Sequence, residues 1–324
     1  MLALVIGAGI QPRPLPASSR LLFLEAQGVA GYSTFDRALI FYSHDSMEAM
    51  QKPSLGFDLI QRFSGRRGDF ALLAVQARLA INTGDQRTLE PQLYNAFLKL
   101  KMRPFDVWIG HNRPSFGLAS YLDSHALLLQ PLAMQGFGFD RDWGIGIGRD
   151  FAWGGGGLAV TAGSGMALRW RGNYFISGRL SRGVLNRDNY SLGFSFGFGK
   201  VLEVMGLNLM SEDPQSFVMA AIDLAWLRDS LENRLEIMAG ARADQPAWAI
   251  LWRIGLNLVG EGRLKLEAQP CLFRTLGATR FQAGLGVGYL ISADLTLRMM
   301  AVHDRPANET RIICQLYFNK RLGI

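Results

Sequence analysis

The chain has 324 residues, a formal net charge of +7 and a pI near 9.6. Although 49% of its residues are apolar and its mean hydropathy is +0.10, no apolar run reaches the roughly 18–20 residues that a membrane-spanning helix needs. The basic residues are scattered singly, which argues against a nucleic-acid-binding protein. Cys271 and Cys314 have no metal-ligand spacing, and we expect neither a metal site nor a cofactor.

The chain begins with the apolar stretch MLALVIGAGI. This stretch is similar to the apolar part of a signal peptide, but no positive residues precede it. The alternative is a dinucleotide-binding fingerprint at Gly7 and Gly9. That fingerprint would need a third glycine and a helix, whereas Pro12 and Pro14 follow. We therefore interpret residues 1–19 as a remnant signal or leader segment and residues 20–324 as a single domain.

From about residue 55 onward, apolar residues recur at every second position in segments of about 9–14 residues. In the segment 248–258, for example, Trp248, Ile250 and Trp252 share one face, and Arg253 lies on the other. A helix would instead repeat its apolar residues at i, i+3, i+4 and i+7. A period of two therefore predicts strands, and their length suits tilted membrane strands. The predicted strands lie near 55–64, 69–82, 90–103, 105–113, 141–153, 156–164, 172–183, 188–199, 217–228, 231–243, 247–259, 262–273, 279–291, 294–304 and 309–322.

A further strand within 20–44 brings the predicted number to sixteen. An even number places both termini on the periplasmic side and the loops 114–140, 164–172 and 200–216 outside. A soluble β-sandwich also shows a period of two, but its outward faces are charged, whereas the more apolar face here is nearly free of charge. We therefore predict an all-β fold, namely a transmembrane antiparallel up-and-down β-barrel with an inward-folded loop.

The opposite faces of these strands carry many cations, against few carboxylates such as Asp223, Glu232, Glu236 and Glu267. Unpaired buried charges cost several kcal/mol each, so a water-filled lumen explains them better than a packed core. A cationic wall attracts anions. Alternatively, pairing across strands, as between Lys265 and Glu267, cancels the field. The predicted pore-lining residues are Arg78, Lys99, Lys101, Arg103, Arg179, Arg234, Arg242, Arg253, Arg263, Lys265, Arg280 and Arg298, with Arg311 and Arg321 on the same faces.

The segment 114–140 is long for a loop, and it is rich in Leu, Phe and Tyr. Such apolar content seeks burial, so we predict that this loop folds into the barrel and narrows the pore. The candidate constriction residues are Phe116, Tyr121, Asp123 and His125. The alternative is a lid, or a partner-contacting loop outside the mouth of the barrel.

Asp123, Ser124 and His125 are adjacent, and His111 and Ser115 lie nearby. A catalytic triad is defined by geometry rather than adjacency, and no nucleophile-elbow pattern occurs. We therefore do not expect an enzyme, although an outer-membrane hydrolase that uses His125 or His111 is kept as an alternative.

The stretch 90–144 contains a strand with a tight turn, then WIGHNRPSFGL, an apolar loop and DRDWGIGI. It resembles the corresponding part of phosphate-selective and related sixteen-stranded porins. The resemblance implies a homotrimeric, anion-leaning pore in the bacterial outer membrane whose third outer loop constricts the channel. Lys99, Lys101 and Arg103 are the nearest candidates for the lysine cluster of the phosphate-selective members. The matching positions are Gly110, Pro114, Phe116, Gly117, Arg141 and Gly144.

The sequence thus predicts a porin that lets small hydrophilic solutes, preferably anions, diffuse passively across the outer membrane. Its expected partners are these solutes and outer-membrane lipid, and no nucleic acid. Besides the hydrolase, the alternative is a barrel that forms a scaffold or sheath around a partner protein. A sheath would be expected to have a small-residue lumen without charge, and the many inward cations argue against it.

Overall fold

The computed structural model describes residues 17–43, 51–66, 68–82, 88–122, 127–205, 208–260 and 262–323. Residues 1–16, most of the predicted leader, lie outside the described residues, whereas residues 17–19, which we assigned to the leader, begin the first strand. The strands are β1 (Ala17–Ser33), β2 (Ala38–Ile40), β3 (Ser54–Gly65), β4 (Gly68–Ile81), β5 (Leu89–Leu100), β6 (Asp106–Asn112), β7 (Asp142–Phe151), β8 (Gly154–Thr161), β9 (Tyr174–Arg182), β10 (Tyr190–Met205), β11 (Asn208–Arg228), β12 (Leu231–Arg242), β13 (Gln245–Leu258), β14 (Leu264–Thr275), β15 (Ala278–Ser292), β16 (Leu295–Arg305) and β17 (Glu309–Leu322).

These strands form one closed antiparallel sheet. Each strand from β3 to β17 pairs with the next, and β17 returns to pair with β1 over the register Leu22↔Leu322 to Ser33↔Arg311. On its other edge β1 pairs with β3 at its start and with β2 at its end. The short β2 and the long β3 therefore act as two parts of one wall strand. Counted in this way, the wall has the predicted sixteen strands. Among the described strands, closure leaves no strand at the edge of an open sheet, as a barrel in lipid requires.

The alternation of side chains explains why these segments form a wall with two unlike faces. In β10, Phe194 and Phe196 are exposed outward, whereas Ser195 between them and Ser191 earlier in the strand are buried inside the barrel. Successive side chains of a strand point to opposite faces, so the aromatic residues form an outer apolar surface. The predicted transmembrane-type barrel is confirmed as a fold.

One predicted loop is wrong. Residues 200–216, which we expected outside as a loop, are largely strand: β10 continues to Met205, and β11 begins at Asn208. The register continues from Lys200↔Ser216 to Met205↔Asn208, with bulges near Glu203. The parity of the barrel is preserved because the two neighbouring strands extend together. The strand predicted from residue 156 also begins earlier, since β8 starts at Gly154.

Helical structure among the described residues is limited to single turns. They are α1 (Leu185–Asp188) and two 3-10 turns at Leu118–Ser120 and Leu132–Gln135. None of the helices in the described ranges has the length and apolar character of a membrane span. Both 3-10 turns belong to the long segment between β6 and β7, which therefore has structure of its own.

Candidate functional site

The described parts of the segment between β6 and β7, residues 113–122 and 127–141, fold into the barrel. At its start, the Gly117 N–H donates to the Ser195 hydroxyl at 3.1 Å, and the Leu118 N–H donates to the Glu236 carboxylate at 2.6 Å. Both acceptors lie on the inner wall. A Cβ at position 117 would come within 2.3 Å of Glu236 Oε1, and the residue has a φ of 59°, so only glycine permits this approach. We refer to residues 113–141 as the inward loop.

An aromatic cluster fixes this part of the inward loop to the wall. The Phe116 ring packs edge-on against the rings of Phe175 in β9 and Phe217 in β11, with centroids 5.9 and 6.3 Å apart. Phe116 is only 2% exposed. It therefore anchors the loop rather than lining open space, although we had placed it among the constriction residues.

Farther along, the inward loop reaches the opposite wall. Leu128 and Leu129 pack in a buried cluster with Val29 of β1 and Ile313 of β17. The Arg253 guanidinium of β13 donates to the Leu129 carbonyl. Since residues 116–118 contact β9 to β12 and residues 128–129 contact β1 and β17, the loop crosses the lumen. The predicted inward fold of this loop is confirmed.

The end of the inward loop is held by a buried carboxylate. Asp142, the first residue of β7, is fully buried and accepts hydrogen bonds from the N–H groups of Gly163, Ser164 and Gly165 at 2.6–3.2 Å. It thereby fixes the start of the loop 162–173, which follows β8. The inward loop and the loop after β8 are thus joined through one side chain.

A cavity of about 910 Å³ lies below the inward loop. It is at the end of the barrel where β1 begins and β17 ends, and where the short turns after β7 and β9 lie. Tyr121, Ser120 and Leu122 of the loop form one side of this cavity. The wall of β5 to β12 forms the other side. Its polar and charged lining residues include Lys99, Asp106, Ser115, Arg149, Asp150, Arg179, Ser181, Arg187, Ser191 and Arg234.

Arg179 faces this cavity, and its carboxylate partner lies behind it. Arg179 is bound through two guanidinium nitrogens to Asp223, at 2.6 and 3.1 Å. The side chain of Arg179 is 11% exposed and that of Asp223 is 0% exposed. A Cβ at Gly193 would lie within 2.4 Å of both charged groups, so this glycine leaves room for the ion pair. The Arg179 guanidinium carbon lies 4.7 Å from the centroid of the Tyr121 ring. The Tyr121 hydroxyl donates to the Asp223 carboxylate at 3.3 Å.

A second charged group continues around the wall. Arg234 binds Glu232 at 2.5 Å, and Lys265 binds both Glu232 at 3.0 Å and Glu267 at 3.2 Å. Lys99 pairs with Asp106 at 2.9 Å. Pairing of the charges, the alternative raised by the sequence, therefore occurs both within and between strands, and it removes much of the formal positive charge from the lumen.

At the mouth of the cavity, Arg187 and Asp188 form an exposed pair in the turn between β9 and β10. The Arg187 guanidinium, together with the Val184 N–H, lowers the pKa of Asp188 to about 2. The carboxyl group is therefore ionised at neutral pH, and it offsets the charge of Arg187.

Several of the other predicted pore-lining cations are buried or partly buried in the wall, where they form hydrogen bonds or ion pairs with neighbouring side chains. Arg78 donates to Gln92 and Tyr94, Arg242 pairs with Glu203 at 3.3 Å, and Arg298 donates to Gln315. The rest lie at strand ends: Lys101 pairs with Asp69 at 3.7 Å, and Arg103, Arg263 and Arg280 are exposed near turns. Arg311 pairs with Glu309, and Arg321 is exposed near the end of β17.

Part of the inner wall is apolar, which the sequence analysis missed. Met219, Met238, Leu251 and Phe273 are buried and pack with Phe137 and other residues of the inward loop. We had expected a wet, mostly positive interior, because the alternating pattern alone does not show that a loop covers one side. The apolar wall gives the inward loop its binding surface.

The candidate hydrolase residues are not brought together in the described part of the chain. His111 is 0% exposed, and its ring packs against Trp143 with centroids 4.9 Å apart. Ser115 lines the cavity. Asp123, Ser124 and His125 lie outside the described residues, so the predicted constriction by Asp123 and His125 stays a prediction.

A second inward segment was not predicted. Between β2 and β3, Tyr42, Ser43, Gln51 and Lys52 are buried, and Tyr42 and Gln51 contact the inward loop. The hydrophobic period of two gives no signal for it, because the segment is too short to show a pattern of its own.

No protein-family model matches the chain, and no curated protein matches it. Solved structures match over 94% of this chain. They include the anion-selective porin from Comamonas acidovorans (TM-score 0.63, 13% identity, 100% of that chain). OmpT, an outer membrane protein of Vibrio cholerae, matches as a variant lacking loop L8 (TM-score 0.65, 8% identity, 100% of that chain). OprB of Pseudomonas putida matches with a TM-score of 0.53 and 10% identity over 92% of that chain.

These likenesses show the fold of outer-membrane barrels. The closed barrel and its apolar outer face agree with the predicted location in the bacterial outer membrane.

Proposed function

We propose that the chain is an outer-membrane porin that lets small hydrophilic solutes diffuse passively, with a preference for anions. The observation that carries the proposal is the cavity beneath the inward loop, where Arg179 and Arg234 face open space and the carboxylate of Asp223 lies buried behind. A solute in this part of the cavity meets the Arg179 guanidinium before the buried Asp223 carboxylate. In surroundings of low dielectric constant the field of the guanidinium groups is incompletely screened by the paired carboxylates.

The inward loop occupies the lumen, and this favours a porin over a sheath around a partner protein. The inward loop already crosses the barrel and is bound to both walls. A threaded partner would have to displace these contacts, whereas small solutes need only the space left at the side of the loop. The charged lining also suits hydrated ions better than an apolar partner.

Planar-bilayer recording in a salt gradient tests the proposal. The wild-type protein should conduct, with a reversal potential on the anion side. Lys99→Gln and Arg234→Gln should move this potential toward cations, since each removes one cation from the cavity lining. Lys101→Gln is the matched control, because Lys101 lies outside the cavity lining beside Asp69. A cation-selective wild type would refute the anion preference, and a protein without conductance would refute the porin.

We do not extend the proposal to phosphate selectivity. Of the three candidates for a lysine cluster, Lys99 lines the cavity, whereas Lys101 and Arg103 are exposed in the turn after β5 and are not among the lining residues. Adding inorganic phosphate to chloride solutions is the direct test. Block of the chloride current at low phosphate concentration would show selectivity that this arrangement does not predict.

Trimer formation is part of the proposal as an expectation from similar structures, among them OmpT of Vibrio cholerae in a trimer form. Cross-linking in detergent followed by mass measurement tests it. A trimer should conduct in three equal steps, and a monomer in one step.

A further inference from the structure

The second wall strand of the barrel is interrupted, and the interruption turns inward. β2 pairs with the end of β1 from Ser33↔Ala38 to Gly31↔Ile40, and β3 pairs with the start of β1 from Gln27↔Ser54. Residues 41–43 and 51–53, between these two pairings, lie outside the wall strands. Of the described residues there, Tyr42 is 3% exposed and Lys52 is 1% exposed. We name residues 40–43 and 51–53 the inner strap.

The inner strap binds the inward loop directly. The Tyr42 hydroxyl donates to the Leu128 carbonyl at 3.0 Å and accepts from Gln130 Nε2 at 2.8 Å. Gln51 Nε2 donates to the Leu127 carbonyl at 3.1 Å. Three hydrogen bonds thus hold residues 127–130, the part of the inward loop that lies across the lumen.

The other side of the inner strap is fixed to the wall. Lys52 Nζ pairs with Glu90 of β5 at 2.7 Å, and Gln27 Nε2 of β1 donates to the Lys52 carbonyl at 2.6 Å. A charged side chain that is almost fully buried stays in place only when it is paired. The Lys52–Glu90 pair therefore sets the position of the strap, and the strap sets the position of the loop.

We infer that the inner strap is a second element of the constriction, and that Tyr42 and Lys52 are positioning residues that set the size limit of the pore. The inference rests on the proposed porin function. Without the strap, the loop keeps its contacts with Ser195 and Glu236 at residues 117–118 and the single hydrogen bond from Arg253 to the Leu129 carbonyl. Residues 127–130 would then be held less tightly against β1 and β17, and the passage would widen.

Single-channel recording of Tyr42→Phe and Lys52→Met tests the inference. Tyr42→Phe removes one hydroxyl and keeps the buried ring. Both variants should show a larger conductance, larger open-channel noise and passage of larger neutral sugars in vesicle swelling. The matched controls are Tyr32→Phe, on the outward face of β1, and Lys320→Met, which is exposed near the end of β17. Neither should change these values.

Thiol labelling provides a readout that does not depend on conduction. In a protein with Cys271→Ser and Cys314→Ser, Leu128→Cys should react slowly with a charged maleimide, because Leu128 is 4% exposed. Adding Tyr42→Phe should accelerate the reaction. If Lys52→Met fails to fold, Gln51→Leu takes its place in both measurements.

The outcomes separate the two proposals. A conducting wild type with unchanged conductance, sugar cut-off and labelling in the Tyr42→Phe and Gln51→Leu variants would overturn the role of the strap and leave the porin intact. A wild type that does not conduct would overturn the porin and, with it, a size limit set by the strap.

Discussion

The backbone N–H of Leu118 in the inward loop donates a 2.6 Å hydrogen bond to the carboxylate of Glu236 on β12. Glu236 is 1% exposed and lies directly opposite Asp223 in the register of β11 and β12. A buried carboxylate beside another carboxylate is unfavourable unless it is hydrogen-bonded. This contact therefore links the position of the loop to the charges of the wall.

Glu236→Ala should loosen the inward loop. A buried hydrogen bond contributes about 0.5–1.5 kcal/mol, and the start of the loop would keep its contact with Ser195, its aromatic packing and the Tyr121 contacts with Arg179 and Asp223. We expect a larger and noisier single-channel conductance. Glu236→Gln, which retains an acceptor oxygen, should stay close to wild type, and equal conductance in the two variants would contradict the anchoring role.

Asp142→Ala should destabilise the junction of the inward loop and the loop after β8. Asp142 accepts from three successive backbone N–H groups, and leaving buried donors unsatisfied costs about 1–3 kcal/mol each. The temperature at which the folded band disappears in semi-native gel electrophoresis should fall. Asp150→Ala, in the same strand but at the cavity, is the control. If the temperature were the same for Asp142→Ala and Asp150→Ala, Asp142 would not hold the two loops together.

Phe196→Arg should be costly in lipid, because Phe196 is on the outer face of β10. Arginine on the lipid face of a barrel costs about 2–4 kcal/mol near the bilayer midplane. Denaturant unfolding in phospholipid vesicles should show this loss, while Phe196→Leu should show little. An arginine that is tolerated as well as leucine would mean that this face does not meet lipid.

The two cysteines should differ in reactivity. Cys314 is exposed and pairs in register with Met299, which is also exposed, whereas Cys271 is buried. In vesicles, a lipid-soluble maleimide should label one thiol, and a charged maleimide should label none. Cys314→Ser should abolish the labelling. Rapid labelling of Cys314 by the charged reagent would place this face in water.

The strands of the wall could be predicted from the sequence because every second residue of a strand faces lipid and is therefore apolar. Phe194 and Phe196 alternate with Ser195, and the strand follows. The extension of β10 and β11 escaped the same reasoning, because residues such as Glu203 and Glu212 interrupt the apolar pattern while the backbone pairing continues. Strand pairing needs no apolar face where both faces meet water.

The site was harder to predict than the wall. The residue types identified the candidate cations, but the partner of each cation depends on how the strands are aligned. Arg179 and Asp223, for example, are 44 residues apart in the sequence. The inner strap gave no signal at all. Its contacts with Leu128 and Glu90 are individual hydrogen bonds rather than a repeated pattern.

The seam between β1 and β17 joins the two ends of the described chain, where Gln315 donates to Gln27 across 288 residues. Until this seam forms, two strands present unpaired N–H and C=O groups, which hydrocarbon cannot satisfy. Closing such a distant pair is entropically the most expensive contact in the sheet. Membrane insertion and closure are therefore coupled: a chain that lacked β17 would have no stable form within the bilayer, however well its other strands paired.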